Sequence, residues 1–153
     1  MQSDHVQLIY DFNDQAGLLT KPYNDFLESS FQIEEALEGF DLSGFQGLPG
    51  LEDITPKSLS RYIAATAMDS TRLSLSDVDR LDKACDAIVF AFGSIFKLGL
   101  SPDQASEAVS IVMRANMAKL SMPKDEFGKL QKPIDFIGPE THLQELLNQR
   151  KEP

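Results

Sequence analysis

The sequence predicts an all-α protein, and three observations carry that reading. Apolar residues recur at helical spacing over most of the chain, capping residues stand where those runs begin, and no stretch keeps the alternation of a strand. The expected architecture is a bundle of four to five helices with a structured tail, in a single domain over residues 1–153. A variable insert is expected at 41–75 and the tail at 121–153.

The elements follow in chain order. Ser3 or Asp4 is placed to cap a first helix through HVQLIYDFNDQA, which Gly17 stops. A second helix is expected from about Phe26 to Glu38, ending at Gly39. The stretch DLSGFQGLPGLEDI is rich in turn residues and reads as a loop. Thr55 followed by Pro56 opens a short third helix, because proline's missing N–H is harmless at the first helical position. Ser76 and Asp79 have capping-box spacing and start a fourth helix that ends at Gly99. Ser101, Pro102 and Gln104 repeat the device for a fifth helix reaching about Leu120. After a tail with turn chemistry, THLQELLNQRK closes the chain as a short helix.

Bulk properties exclude some function classes. The formal net charge of -10 argues against non-specific binding to nucleic acid or to an anionic membrane, since both require basic patches. The single cysteine, Cys85, forms no internal disulfide and is expected to pack as a small hydrophobe. The opening residues lack the basic and apolar regions of a signal peptide, and Ala84–Phe96 is too short to span a bilayer. These features predict a cytoplasmic protein. His5 and His142 have no ligand-like spacing, so zinc is not expected.

Polar residues on apolar faces supply the functional signal. At about 100° per residue, Leu27, Phe31, Glu34 and Glu38 share one stripe of the second helix, with Glu35 at its margin. The fourth helix is apolar on nearly every side from Ala84 to Phe96, which predicts a buried helix. It nevertheless carries Asp86 one turn after Asp82, on a stripe continued by Val89 and Gly93. On the fifth helix, Asn116 interrupts the stripe of Ala105, Val109, Val112 and Leu120. Carboxylates turned inward from two helices repel one another unless a divalent cation joins them. Mg²⁺, with Mn²⁺ as a substitute, suits such oxygen donors and commonly shares its coordination with substrate phosphates.

With these residues placed, the chain resembles the all-α nucleoside triphosphate pyrophosphohydrolases, the MazG-like and phosphoribosyl-ATP pyrophosphohydrolase-like group. IEEALEGF matches the family's Glu-Glu-x-x-Glu helix at Glu34, Glu35 and Glu38. DKACDAIVFAFGSIFKLGL fits its second acidic motif, with Asp86 at the final aspartate, Lys83 in place of the usual glutamate, and Asp82 as the alternative acid. RANMAKL, GKLQKP and IGPE follow in the order of one branch. The resemblance implies Mg²⁺-dependent hydrolysis of a nucleotide to the monophosphate and pyrophosphate. The metal ligands would be Glu34, Glu35, Glu38, Asp82 and Asp86, with the three glutamates also supplying the catalytic groups. Arg114, Asn116, Lys119, Lys129 and Lys132 would bind substrate, and the assembly would be a homodimer or homotetramer. Two alternatives stand beside this: phosphoribosyl-ATP as the substrate, or an inactive acidic module that binds a nucleotide or a protein.

Overall fold

The computed structural model describes residues 5–71 and 75–150, and among these the chain is all-helical. The helices are α1 (His5–Gln15), α2 (Asp25–Leu37), α3 (Pro56–Thr71), α4 (Asp77–Lys97), α5 (Pro102–Met117) and α6 (Glu140–Asn148), with one 3₁₀ turn at Ser43–Phe45. No strand occurs among the described residues, only an isolated antiparallel bridge between Lys124 and Leu130. Among the described residues there are six α-helices, one at each place where the sequence predicts a helix, the short last one included; α3 runs for 16 residues rather than a short stretch.

Local chemistry sets the helix ends. The Ser101 hydroxyl accepts from the Gln104 N–H while the Gln104 side chain accepts from the Ser101 N–H, with Pro102 between them. Ser76 and Asp79 exchange the same pair of bonds at the start of α4. Hydrogen bonds from Ser76 hold the Asp79 carboxyl below the usual carboxylate range. That cap is therefore intact above the ordinary aspartate pKa and is lost as pH falls through the depressed folded value. Thr55 and Ser58 form a third reciprocal cap, ahead of α3. Asn24 caps α2 through the Leu27 N–H, so the helix starts at Asp25, one residue before the expected Phe26. At the end of α1, Gly17 takes φ +64°, and the N–H groups of Gly17 and Leu18 return to Asp14 and Asn13. This is the paired C-terminal bonding that glycine permits. The capping residues expected for α1, Ser3 and Asp4, lie outside the described residues.

The chain divides into two compact units, residues 22–80 and residues 1–21 with 81–153. In the first, α2 packs against α3, and the buried side chains of the two helices are Ser30, Glu34, Leu59, Ser60 and Ala64. Small residues let the helix backbones approach. The buried Ser30 and Ser60 hydroxyls donate to Leu27 and Lys57 carbonyls of their own helices, so neither is left unsatisfied. Arg80 ties the start of α4 to the start of α2, donating to both oxygens of Asp25 at 3.1 and 2.6 Å while lying over the Tyr23 ring.

In the second unit, α5 packs against both α1 and α6. Leu100, Ala108, Ile111 and Leu146 form its core, with Ile95, Leu143 and Leu147 packed around them. The Lys124 ammonium donates to the Ala16 carbonyl at the end of α1, and His5 meets the hydroxyls of Ser106 and Ser110 on α5.

One expectation is overturned. Helix α4 has no buried residue, and Leu81, Ile88, Val89 and Phe90 are all exposed. Cys85 is exposed as well, rather than packed as a small hydrophobe. A run of apolar residues identifies a helix that needs covering, and does not specify that its own chain covers it.

Leu59 is 1% exposed and is the largest fully buried side chain among the described residues. Leu59→Ala is expected to destabilise the α2–α3 unit by about 2–5 kcal/mol, read by chemical denaturation followed by circular dichroism.

Candidate functional site

The carboxylates expected to bind metal do not share one environment. Glu34, on the packed face of α2, is 7% exposed. It is met by Arg61 of α3, whose Nη1 lies 3.5 Å from Glu34 Oε2 and also donates to the Lys57 carbonyl at 2.9 Å. The stripe that placed Glu34 among apolar residues is thus correct, and an arginine answers the buried charge. Glu35 is exposed. Helix α2 ends at Leu37, so Glu38 is its C-cap, with extended backbone (φ -60°, ψ 132°), and its exposed side chain leaves the helical stripe.

Asp82 and Asp86 are exposed on α4, which removes the difficulty of a buried carboxylate there. The two groups belong to different units, α2 to residues 22–80 and Asp82 and Asp86 to the other. Within either unit, among the described residues, no three His, Cys, Asp or Glu side chains gather as a metal-holding set. As donors the four exposed carboxylates fit a hard cation, since they are oxygen ligands open to water. Glu34 is the exception, because its charge already faces a guanidinium.

Three of the five substrate-binding candidates come together in the second unit. Asn116, in the last turn of α5, accepts through Oδ1 from the Lys119 ammonium at 2.7 Å. Lys119 Nζ lies 5.1 Å from the centre of the Phe136 ring, and Lys132 Nζ lies 5.8 Å from the same centre. Both ammoniums are within cation–π reach of one aromatic ring. Two like charges held at one ring repel each other, and an anion placed between them converts that repulsion into attraction. Asn116 and Lys119 are half-buried, whereas Lys132 is exposed.

The loop before this cluster is fixed by Asp125. Its Oδ1 accepts from the N–H groups of Phe127 and Lys129, both at 2.9 Å, and Gly128 turns with φ +88°. Lys129 is therefore positioned by its backbone in that turn. Arg114 is exposed, and its Nη2 donates to Glu107 Oε1 at 2.7 Å, so it is engaged along the outer face of α5.

Two side chains of this arrangement were not singled out from the sequence. Arg61 lies in the segment read as a variable insert, and nothing local marks it as the partner of Glu34. Phe136 had a usable signal, as an aromatic immediately before the IGPE motif and four residues after Lys132.

Comparison with known proteins finds no matching family model, no matching curated protein and no matching solved structure. No single described helix is long and apolar enough to cross a membrane.

Arg61→Met leaves a carboxylate buried against α3 without its guanidinium. It is expected to cost about 3 kcal/mol, and adding Glu34→Gln is expected to recover at least half of that. Denaturant titration of the single and double variants measures both.

Proposed function

We propose that this chain hydrolyses a nucleoside triphosphate, or a related nucleotide, to the monophosphate and pyrophosphate, with Mg²⁺ as cofactor and a MazG-like helical architecture. The observation that carries the reading is the meeting of Asn116, Lys119 and Lys132 at Phe136. In a chain of net charge -10, two lysines gathered at one ring form a local place for an anion. They come from two separate segments that the family resemblance assigns to substrate binding.

In this reading Lys119 and Lys132 meet the distal phosphates as point charges, and the Asn116 amide supplies a directional hydrogen bond. Glu35 and Glu38 of α2 would hold the metal through their carboxylates, and Asp82 and Asp86 are the further oxygen donors that the resemblance names. Bound Mg²⁺ supplies charge neutralisation at the phosphate oxygens and a more acidic attacking water. Glu35, exposed on α2, is the carboxylate that would take a proton from the attacking water. Glu34 acts as a positioning residue, holding α2 on α3 through Arg61. The proposed setting is the cytoplasmic nucleotide pool, with clearance of surplus or non-standard nucleotides as the task.

The test is pyrophosphate release from a panel of ribo- and deoxynucleoside triphosphates and phosphoribosyl-ATP, in the presence of Mg²⁺. Release is expected to stop on chelation and to fall about a hundredfold or more in Glu38→Ala. Lys119→Ala and Lys132→Ala are each expected to raise KM about tenfold with a smaller effect on kcat. A folded protein that releases nothing from any substrate of the panel with Mg²⁺ present overturns the proposal.

A further inference from the structure

Glu34 of α2 and Arg61 of α3 meet across the contact of the two helices, with side chains 9% and 12% exposed. Both belong to the unit of residues 22–80. Small side chains let the backbones come close enough for the pair to form: Ser30, one turn before Glu34, and Ser60, beside Arg61 in sequence, are fully buried. Glu28, Glu35 and the C-cap Glu38 are exposed, and Glu34 is the one buried carboxylate among the described residues.

A covered carboxylate keeps its charge only beside a cation, and that cation is either a metal ion or a side chain. Here the chain provides it. Arg61 Nη1 lies 3.5 Å from Glu34 Oε2 and donates to the Lys57 carbonyl, one turn back on its own helix, at 2.9 Å. The guanidinium is thus anchored on α3 independently of Glu34. Its 3.5 Å separation exceeds the about 2.7–2.9 Å of a tight charge-assisted hydrogen bond, so Coulomb attraction away from bulk water carries the pair. Arginine suits the place because its guanidinium stays charged when buried, whereas a buried lysine loses its proton readily.

We infer that Arg61 stands in for a metal ion at Glu34: the α2–α3 contact is charge-balanced by a cation of its own, and a divalent metal does not reach Glu34 while the guanidinium is in place. Mg²⁺ bonds carboxylate oxygens at about 2.0–2.1 Å and keeps several waters. Bound to Glu34 Oε2, it would sit beside a fixed like charge in a contact whose side chains are covered. The family resemblance counts Glu34 with the metal ligands. In this chain Glu34 is instead a lock between two helices, and Glu35 and Glu38 are the acids that α2 leaves to a metal. Packing of α2 on α3 is then independent of metal, and an arriving metal finds the helix already positioned. A chain that hydrolyses no nucleotide still carries the pair and its consequence.

The experiment uses the full chain, with Mg²⁺ or Mn²⁺ alone as the probe. In NMR of the isotope-labelled protein, the Arg61 guanidinium signals are assigned by their absence in Arg61→Lys. They are expected to keep their slow exchange with solvent as Mg²⁺ is raised to millimolar concentration. Helicity is expected to be the same before and after chelation. Arg61→Met is expected to bind Mn²⁺ about tenfold more tightly than the unaltered chain in calorimetric titration, and adding Glu34→Gln to cancel that gain. Faster exchange of the Arg61 signals on adding Mg²⁺ overturns the proposal, because the metal has then displaced the guanidinium. So does a folded Arg61→Met whose Mn²⁺ affinity equals that of the unaltered chain, or whose gain survives Glu34→Gln. Where Arg61→Met does not fold, the exchange measurement on the unaltered chain decides alone. Pyrophosphate release, or its failure, enters none of these readouts.

Discussion

The chain has more apolar side chain than it buries, and that constraint governs the rest of the structure. It has ten phenylalanines, and none of them is buried. Among the described residues the buried side chains are instead mostly small or few: serines and an alanine with Leu59 between α2 and α3, and a modest cluster of Leu100, Ala108, Ile111 and Leu146 about α5. A buried phenylalanine contributes roughly 1.5–3 kcal/mol relative to an exposed one, so leaving the aromatics of α4 in water forgoes a stabilisation comparable to the net stability of a domain.

What could be read from the sequence divides along a physical line. Caps were legible because they are local. The Ser101–Gln104 box, the Ser76–Asp79 pair, Thr55 before Pro56 and the glycine stop at Gly17 each need only residues within one turn of each other. The amphipathic stripe of α2 was legible for the same reason, and Glu34 is buried where the stripe placed it. Its partner was not legible. Arg61 reaches Glu34 across 27 positions of chain, and the intervening glycine-rich loop carries no periodicity that fixes the register of α3 against α2.

The expectation that α4 is buried, and its aspartates with it, rests on composition over a window. Composition does not separate a core helix from an interface helix, whereas the angular positions do. Asp86 lies well round the helix from Leu81, Ile88 and Phe92, Asp82 about a quarter-turn from them, and both are exposed. The carboxylates need no buried partner, and the exposed apolar side chains of the helix are what require explanation.

The basic cluster shows how an acidic chain can receive an anion at all. Long-range repulsion from a charge of -10 is screened beyond about 8–10 Å at physiological salt, so what a phosphate meets on arrival is set by the side chains within that radius. Around Phe136 those side chains include Lys119 and Lys132. Asp125, in the preceding loop, turns its carboxylate onto the N–H groups of Phe127 and Lys129. The loop's own hydrogen bonding thus engages a negative charge that would otherwise compete with the ligand. Asn116 does the converse, accepting from Lys119 and steadying an ammonium at the end of a flexible stem. In the proposed reaction these lysines belong to the phosphates, so the anion meets its cations within one unit despite the acidity of the chain.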